Sequence, residues 1–356
     1  MNLCKVNISQ CLNNDTCGMN YSLNITYCIC NECYEEIFCE KIRRQSQFDT
    51  KYVNLIIYLF ALCLSILNNS MCLELFIRCK SISRTNIGIY LIIYSILCLL
   101  ANIFLAIDGI FDYNRSILYD NSDLYYKTHC VIGVVGYNAA VYLCFWFSAS
   151  IQFERGLVLF FDTTKYSKHR RSIVVTIVLF CMTLAFSIPI LYYNCDWSNA
   201  PHFKQFHFFL MVFHIALPIL IYLIATVLCL IGFARRIRRY GLENRSYFRT
   251  FMKLFYRHLF IFVPLIVYTI CYGLDNLVAV VAKPENGYFH CKISLAEYIV
   301  KVLLRSCVDL PFTITWLLFV YPSKVYMVDF YMNTWSGQCT AFIVLRFRRF
   351  WSNRND

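Results

Sequence analysis

Seven separate stretches of this chain are apolar enough and long enough to cross a lipid bilayer, and this excludes most folds otherwise open to 356 residues. Covering about 30 Å of hydrocarbon takes roughly 20 mostly apolar residues in a helix. The stretches that qualify are Val53–Ile77, Ile87–Ile107, Cys130–Phe153, Ser172–Tyr193, Phe206–Phe233, His258–Ala282 and Leu295–Tyr321. Composition agrees, since 59% of residues are hydrophobic and only 15% charged, where a soluble domain carries about a quarter charged residues. The expected fold is an all-α membrane protein, a seven-transmembrane helix bundle. Pro189, Pro218, Pro264, Pro311 and Pro322 lie within these stretches or at their edges. Neighbouring membrane helices can satisfy the carbonyls that proline leaves unpaired.

The formal net charge of +12 alone would fit nucleic acid or an anionic surface. Its distribution decides for the lipid bilayer and against nucleic acid. With the segments after spans one, three, five and seven assigned to the cytoplasm, 21 of the 33 Lys and Arg residues fall there. This bias orients the bundle with its amino terminus outside. Lys41, Arg43, Arg44 and Lys51, before the first span, vote the other way. The sequons at Asn7, Asn14, Asn20, Asn24 and Asn114 all fall on the side assigned as extracellular and are the expected glycosylation sites. No apolar run precedes residue 53, so the expectation is that the first span drives insertion without a cleavable signal. The expected location is the plasma membrane.

Seven of the twenty cysteines lie in the first 39 residues. Such density outside the cell implies a disulfide scaffold, because about 40 residues cannot bury a sufficient core. Zinc is the competing reading, disfavoured by the lack of nearby histidine. Omitting Cys33, the spacing is C-x6-C-x5-C-x10-C-x-C-x8-C, with Leu12-Asn13-Asn14 after the second cysteine and Tyr27 before the fourth. This resembles an EGF-like module, expected over residues 1–45. Spacing alone leaves 15 connectivities; the resemblance implies Cys4–Cys17, Cys11–Cys28 and Cys30–Cys39. Cys33 and Glu36 replace two family glycines. Cys33 is either paired with Cys291, in the loop between spans six and seven, or left as a free or intermolecular thiol.

Span three opens at Cys130 and closes on Phe153-Glu154-Arg155-Gly156, which separates Cys130 from Arg155 by 25 residues. Trp146, Cys195 after span four, Pro218 within span five and Asn69 in Leu67-Asn68-Asn69 complete a pattern. It resembles the rhodopsin-like G-protein-coupled receptors over residues 53–330, with residues 331–356 as a basic cytoplasmic tail. The resemblance implies a Cys130–Cys195 disulfide. It also implies that Glu154 neutralises Arg155 at rest, and that Arg155, once released, bonds carbonyls of an inserted partner helix. Departures are substantial. No aspartate lies mid-way along span two, span four lacks tryptophan, span six has no Cys-Trp-x-Pro, and span seven ends Tyr321-Pro322-Ser323-Lys324-Val325-Tyr326.

Glu297, Lys301, Arg305 and Asp309 are four residues apart and share one helix face. Charges at that membrane depth line a cavity or pair with one another. On the first reading Lys301, Arg305 and Asp309 face a ligand cup opposite Asp275 and Asn276, with Asn138, Tyr142 and His214 on its wall. On the second, Glu297–Lys301 and Arg305–Asp309 form a self-paired ladder. Arg235, Arg236, Arg238 and Arg239, with Arg245, Arg249, Lys253 and Arg257, form a basic face. With Glu154 and Arg155 it offers a docking surface for a heterotrimeric G protein, or serves topology and lipid head groups alone. The stretch Phe342–Trp351 mixes apolar residues with Arg346, Arg348 and Arg349, which suits a membrane surface. The expected function is a cell-surface receptor passing an extracellular ligand signal, with a peptide as the expected ligand, to a G protein. The rivals are a seven-helix transporter or channel and a membrane-anchored adhesion protein working through its head. No nucleophile motif, phosphate loop or metal cluster argues for an enzyme or a cofactor.

Overall fold

The computed structural model describes residues 16–20, 25–29, 34–35, 41–42, 47–83, 85–113, 127–161, 169–192, 195, 205–206, 209–210, 212–239, 252, 262–264, 266–268, 270–271 and 306–352. Two antiparallel hairpins come first. β1 (Thr16–Asn20) pairs with β2 (Ile25–Ile29), whose β-branched and aromatic residues favour strand. The register sets Cys17 opposite Cys28 and Asn20 opposite Ile25. β3 (Tyr34–Glu35) pairs with β4 (Lys41–Ile42). The expected sequons at Asn7, Asn14, Asn24 and Asn114 lie outside the described residues, as do Cys4, Cys11, Cys30, Cys33, Cys39 and Cys291.

The helices follow. α1 spans Gln47–Arg78, α2 is the single turn Lys80–Ser83, and α3 spans Asn86–Tyr113. A π-helical turn over His129–Gly136 runs into α4 (Tyr137–Phe161), α5 spans His169–Tyr192, and a second π-turn, Val212–Ala216, opens α6 (Leu217–Arg239). Residues 262–264, 266–268 and 270–271 are helical, as are 306–313. A third π-turn, Trp316–Val320, precedes α7 (Lys324–Asn333) and α8 (Trp335–Ser352).

Five of these helices are long and apolar enough to cross a membrane: Tyr52–Arg78, Asn86–Phe111, His129–Phe161, Arg170–Tyr192 and Val212–Arg235. They coincide with the first five expected spans. Their outward faces are apolar, as along α5, where Ile173, Val174, Ile177, Val178, Leu184 and Ile188 are exposed. A soluble protein rarely presents so continuous an apolar surface; hydrocarbon accommodates it.

Two boundaries differ from expectation. α4 does not stop near Glu154-Arg155 but continues to Phe161, because Gly156-Leu157-Val158-Leu159-Phe160-Phe161 keeps an apolar helical face. Beyond Pro322 the chain does not pass directly into a tail. The Ser323 side chain accepts from the Tyr326 amide and starts α7, and a break at Thr334 separates α7 from α8.

Aromatic residues fill the core: Tyr90, Tyr94, Phe76, Phe147, Phe312, Phe319 and Phe330 are almost wholly buried. Polar ties cross it. Asn69, fully buried on α1, donates to the Ser65 carbonyl at 3.1 Å and to the Phe312 carbonyl at 3.2 Å, which fastens α1 to the 306–313 helix. α4 and α6 cross backbone to backbone. A Cβ on Gly156 would lie 2.9 Å from the Ala225 carbonyl oxygen, and one on Gly232 would lie 2.7 Å from that of Leu159. Only glycine permits this approach. Gln152 reinforces the crossing with a 3.3 Å bond to the Thr226 hydroxyl.

Candidate functional site

The candidate residues occupy both ends and the middle of α4. At its π-helical start, Cys130 is disulfide-bonded to Cys195, with Cα atoms 5.5 Å apart. Cys195 follows α5 and holds φ at 57°, while its amide donates to the Ile190 carbonyl at 3.1 Å. A left-handed residue closing a helix this way satisfies a terminal carbonyl at some backbone strain for a residue with a side chain. Next to the bridge, His129 Nδ1 lies 2.5 Å from Asp108 Oδ1 of α3. The pair ties α3 to the same rim.

About two turns further along, polar side chains converge from three helices. Tyr137 of α4 donates its phenol proton to Asp309 Oδ1. Thr313 donates to Asn102 Oδ1 of α3 at 3.3 Å, and Asn102 in turn donates to the Cys98 carbonyl at 2.9 Å. Asp309 was expected from the sequence; Tyr137, Asn102 and Thr313 were not. Nothing in the spacing announces them, because their meeting depends on which faces of α3, α4 and the 306–313 helix turn inward.

The expected wall residues behave differently. Tyr142 and His214 are buried and stacked on each other, ring centres 4.7 Å apart and planes 10° apart. His214 Nδ1 accepts from Trp146 Nε1 at 3.1 Å, and Phe186 and Phe213 pack edge-on against the imidazole. These two side chains thus form an aromatic seam between α4, α5 and the π-turn before α6. Asn138 is half-buried. Asp275, Lys301 and Arg305 lie outside the described residues, with Glu297 and Asn276.

The other end of α4 carries Glu154 and Arg155, both buried. Successive residues on a helix point about 100° apart, and the two side chains find different partners. Glu154 Oε2 accepts from Asn86 of α3 at 3.0 Å, and its Oε1 lies 3.9 Å from Arg171 Nε of α5. Arg155 Nη2 donates to the Tyr326 hydroxyl of α7 at 3.2 Å. Glu154 and Arg155 thus tie α4 laterally to α3, α5 and α7. Arg235 stacks over the Phe160 ring, 4.2 Å from its centre. Arg236 and Arg239 continue α6 with side chains beyond those described, and Arg257 lies outside the described residues.

Chemically the described residues here form a set of interhelical ties. Among the described residues no three His, Cys, Asp or Glu side chains group to hold a metal ion. Just beyond the first span, burial is the largest influence on the Cys79 thiol and pushes its pKa up, so it stays a thiol at neutral pH. No family model matches this chain, and no curated protein matches it either.

Proposed function

We propose that this chain is a divergent rhodopsin-like G-protein-coupled receptor, a seven-helix protein of the plasma membrane with its amino terminus outside and its carboxyl terminus in the cytoplasm. The observation that carries the reading is the pairing, on one helix, of a disulfide-anchored start at Cys130 with a buried arginine at Arg155 held by a phenol on another helix. The bridge restrains one rim. At the opposite rim Arg155 donates to the neutral Tyr326 hydroxyl of α7, and withdrawal of α7 would break that bond. An always-charged guanidinium then seeks new acceptors, and carbonyls at the end of a heterotrimeric G-protein helix provide them. The 306–313 helix and the helical residues 262–264, 266–268 and 270–271 would be the moving parts, with Arg235, Arg236, Arg239 and Arg257 as the flanking basic face.

Asp309, held by Tyr137, lies on the side of α4 nearer the disulfide, which supports the ligand cup there. A peptide with a cationic group suits that carboxylate, and Asp275, Lys301 and Arg305 belong to the same proposed cup. The first 45 residues are read as a glycosylated, EGF-like head. The order of a five-residue hairpin and then a two-residue one across the cysteine-rich segment supports that reading. Neither catalysis nor a cofactor is part of the proposal.

The test is a G-protein activation panel in cells expressing the intact chain or Arg155→Ala at matched surface level, screened against peptide libraries. Ligand-dependent activation by the intact chain and its loss in the variant are expected. Activation that survives the substitution, or none with any heterotrimer, would sink the reading.

A further inference from the structure

The first turn of α8 is anchored on α7. A Cβ on Gly337 would lie 2.1 Å from the Phe330 carbonyl oxygen, so the two backbones touch there, and Gln338 Nε2 donates to the Met332 carbonyl at 3.3 Å. Past this turn the helix runs on to Ser352. Phe342, Ile343, Val344 and Leu345 follow one another along it and are 64%, 62%, 57% and 57% exposed. The Arg346 guanidinium lies 6.0 Å from the centre of the Phe342 ring.

Four successive residues of an α-helix point about 100° apart and so face every side. A bilayer surface touches a helix lying on it along one side, which leaves the far side of this turn in water. Sinking the whole turn into hydrocarbon would draw Arg346 down with it, and a cation at depth is costly. A second copy of α8 would set like charge against like. From Phe330 to Asn355 the sequence holds Arg346, Arg348, Arg349 and Arg354 and no Asp or Glu. An apolar turn open on all sides and followed by arginines is complementary to a groove that closes around a helix and carries negative charge at its rim.

We propose that the free end of α8 is a docking helix for an acidic protein of the helix-clasping kind, the chemistry that calcium-loaded EF-hand sensors present in their methionine-lined grooves. Phe342, Ile343, Val344 and Leu345 fill the groove, and the arginines meet its acidic rim. Calcium is the control, because such a groove opens when the sensor is loaded. The first turn of α8 stays on α7 while the clasp holds the rest of the helix off the membrane surface. Docking rests on the cytoplasmic placement of the carboxyl terminus proposed above and not on G-protein coupling.

The experiment uses the full chain in nanodiscs of neutral or anionic lipid, with purified calmodulin as the probe. It reads binding affinity and hydrogen exchange at the 340–346 amides. Slower exchange with calmodulin and calcium, and none with calmodulin and a chelator, is expected in both lipids. Phe342→Gln, Ile343→Gln, Val344→Gln and Leu345→Gln should each weaken binding about tenfold, as loss of one buried apolar side chain does, with the melting of the bundle unchanged. Two sensitive and two tolerant positions would make the membrane the occupant and overturn the proposal. Exchange already slowed by anionic lipid and indifferent to calmodulin would do the same, as would binding without calcium dependence or no binding. Nanodiscs expose both faces, so these results do not depend on orientation. A carboxyl-terminal tag reached by antibody in unpermeabilised cells would remove the cytoplasmic placement and the docking with it. Calcium-dependent docking in a chain that engages no heterotrimer would leave the proposal standing and remove the receptor reading alone.

Discussion

Glu74 grips Ser336 twice across 262 residues of sequence, its Oε2 accepting from the Ser336 amide at 3.2 Å and from its hydroxyl at 2.5 Å. Its Oε1 accepts from the Trp335 amide at 2.6 Å. A carboxylate from the end of α1 therefore caps the first turn of α8, where unpaired amides and the helix dipole favour negative charge. Glu74→Ala should uncap α8. We expect hydrogen exchange at the Trp335 and Ser336 amides to accelerate about fivefold, in line with a cap worth about 1 kcal/mol. Glu74→Gln, which keeps one acceptor oxygen, should fall between. Unchanged exchange in Glu74→Ala would mean the contact carries no energy.

The α4–α6 crossing has no room for a side chain at Gly156. Gly156→Val should lower stability by about 1–3 kcal/mol, the usual cost of overpacking, and Gly156→Ala by less. Thermal unfolding of purified protein measures both, and a Gly156→Val protein melting with the parent would show that the helices simply separate there.

Asn69→Ala removes the donor that the buried Phe312 carbonyl accepts from. The expected loss is about 1–3 kcal/mol, read as a lower melting temperature and greater proteolysis between α1 and residue 306. An Asn69→Ala melting curve that overlays the parent would leave the Phe312 contact without energetic weight.

Loss of the Cys130–Cys195 bridge, which closes a separation of 65 residues, should remove about 4 kcal/mol on the chain-entropy account. The Cys130→Ala/Cys195→Ala double variant should be no worse than either single one, because the bond is lost once. An additive pair of effects would indicate separate roles for the two cysteines.

Much of this was legible in the sequence, and the divide is physical. Spans one to five follow from apolar length alone, and the described helices match them within a few residues at most ends. The Asn69 and Cys130 positions also stood out, through the pattern that resembles the rhodopsin-like receptors. The true end of α4 did not, because Glu154 and Arg155 look like a terminus until their partners Asn86, Arg171 and Tyr326 are known. Helix α8 was half visible. Its apolar and basic mixture suited a membrane surface, whereas the Thr334 break and the Glu74 cap depend on tertiary contacts that local sequence cannot encode. The hydrogen-bonded Tyr94–Tyr268 pair was invisible for the same reason, since a buried tyrosine on each of two apolar helices reads as ordinary core.

Gly156 and Gly232 have one more consequence. Two helices whose backbones touch at successive levels cannot slide or roll on each other without collision, so α4 and α6 act as a stator. Any motion at the Arg155 rim would then fall to the segments around that fixed pair, α7 among them, as a rotor turns against its housing.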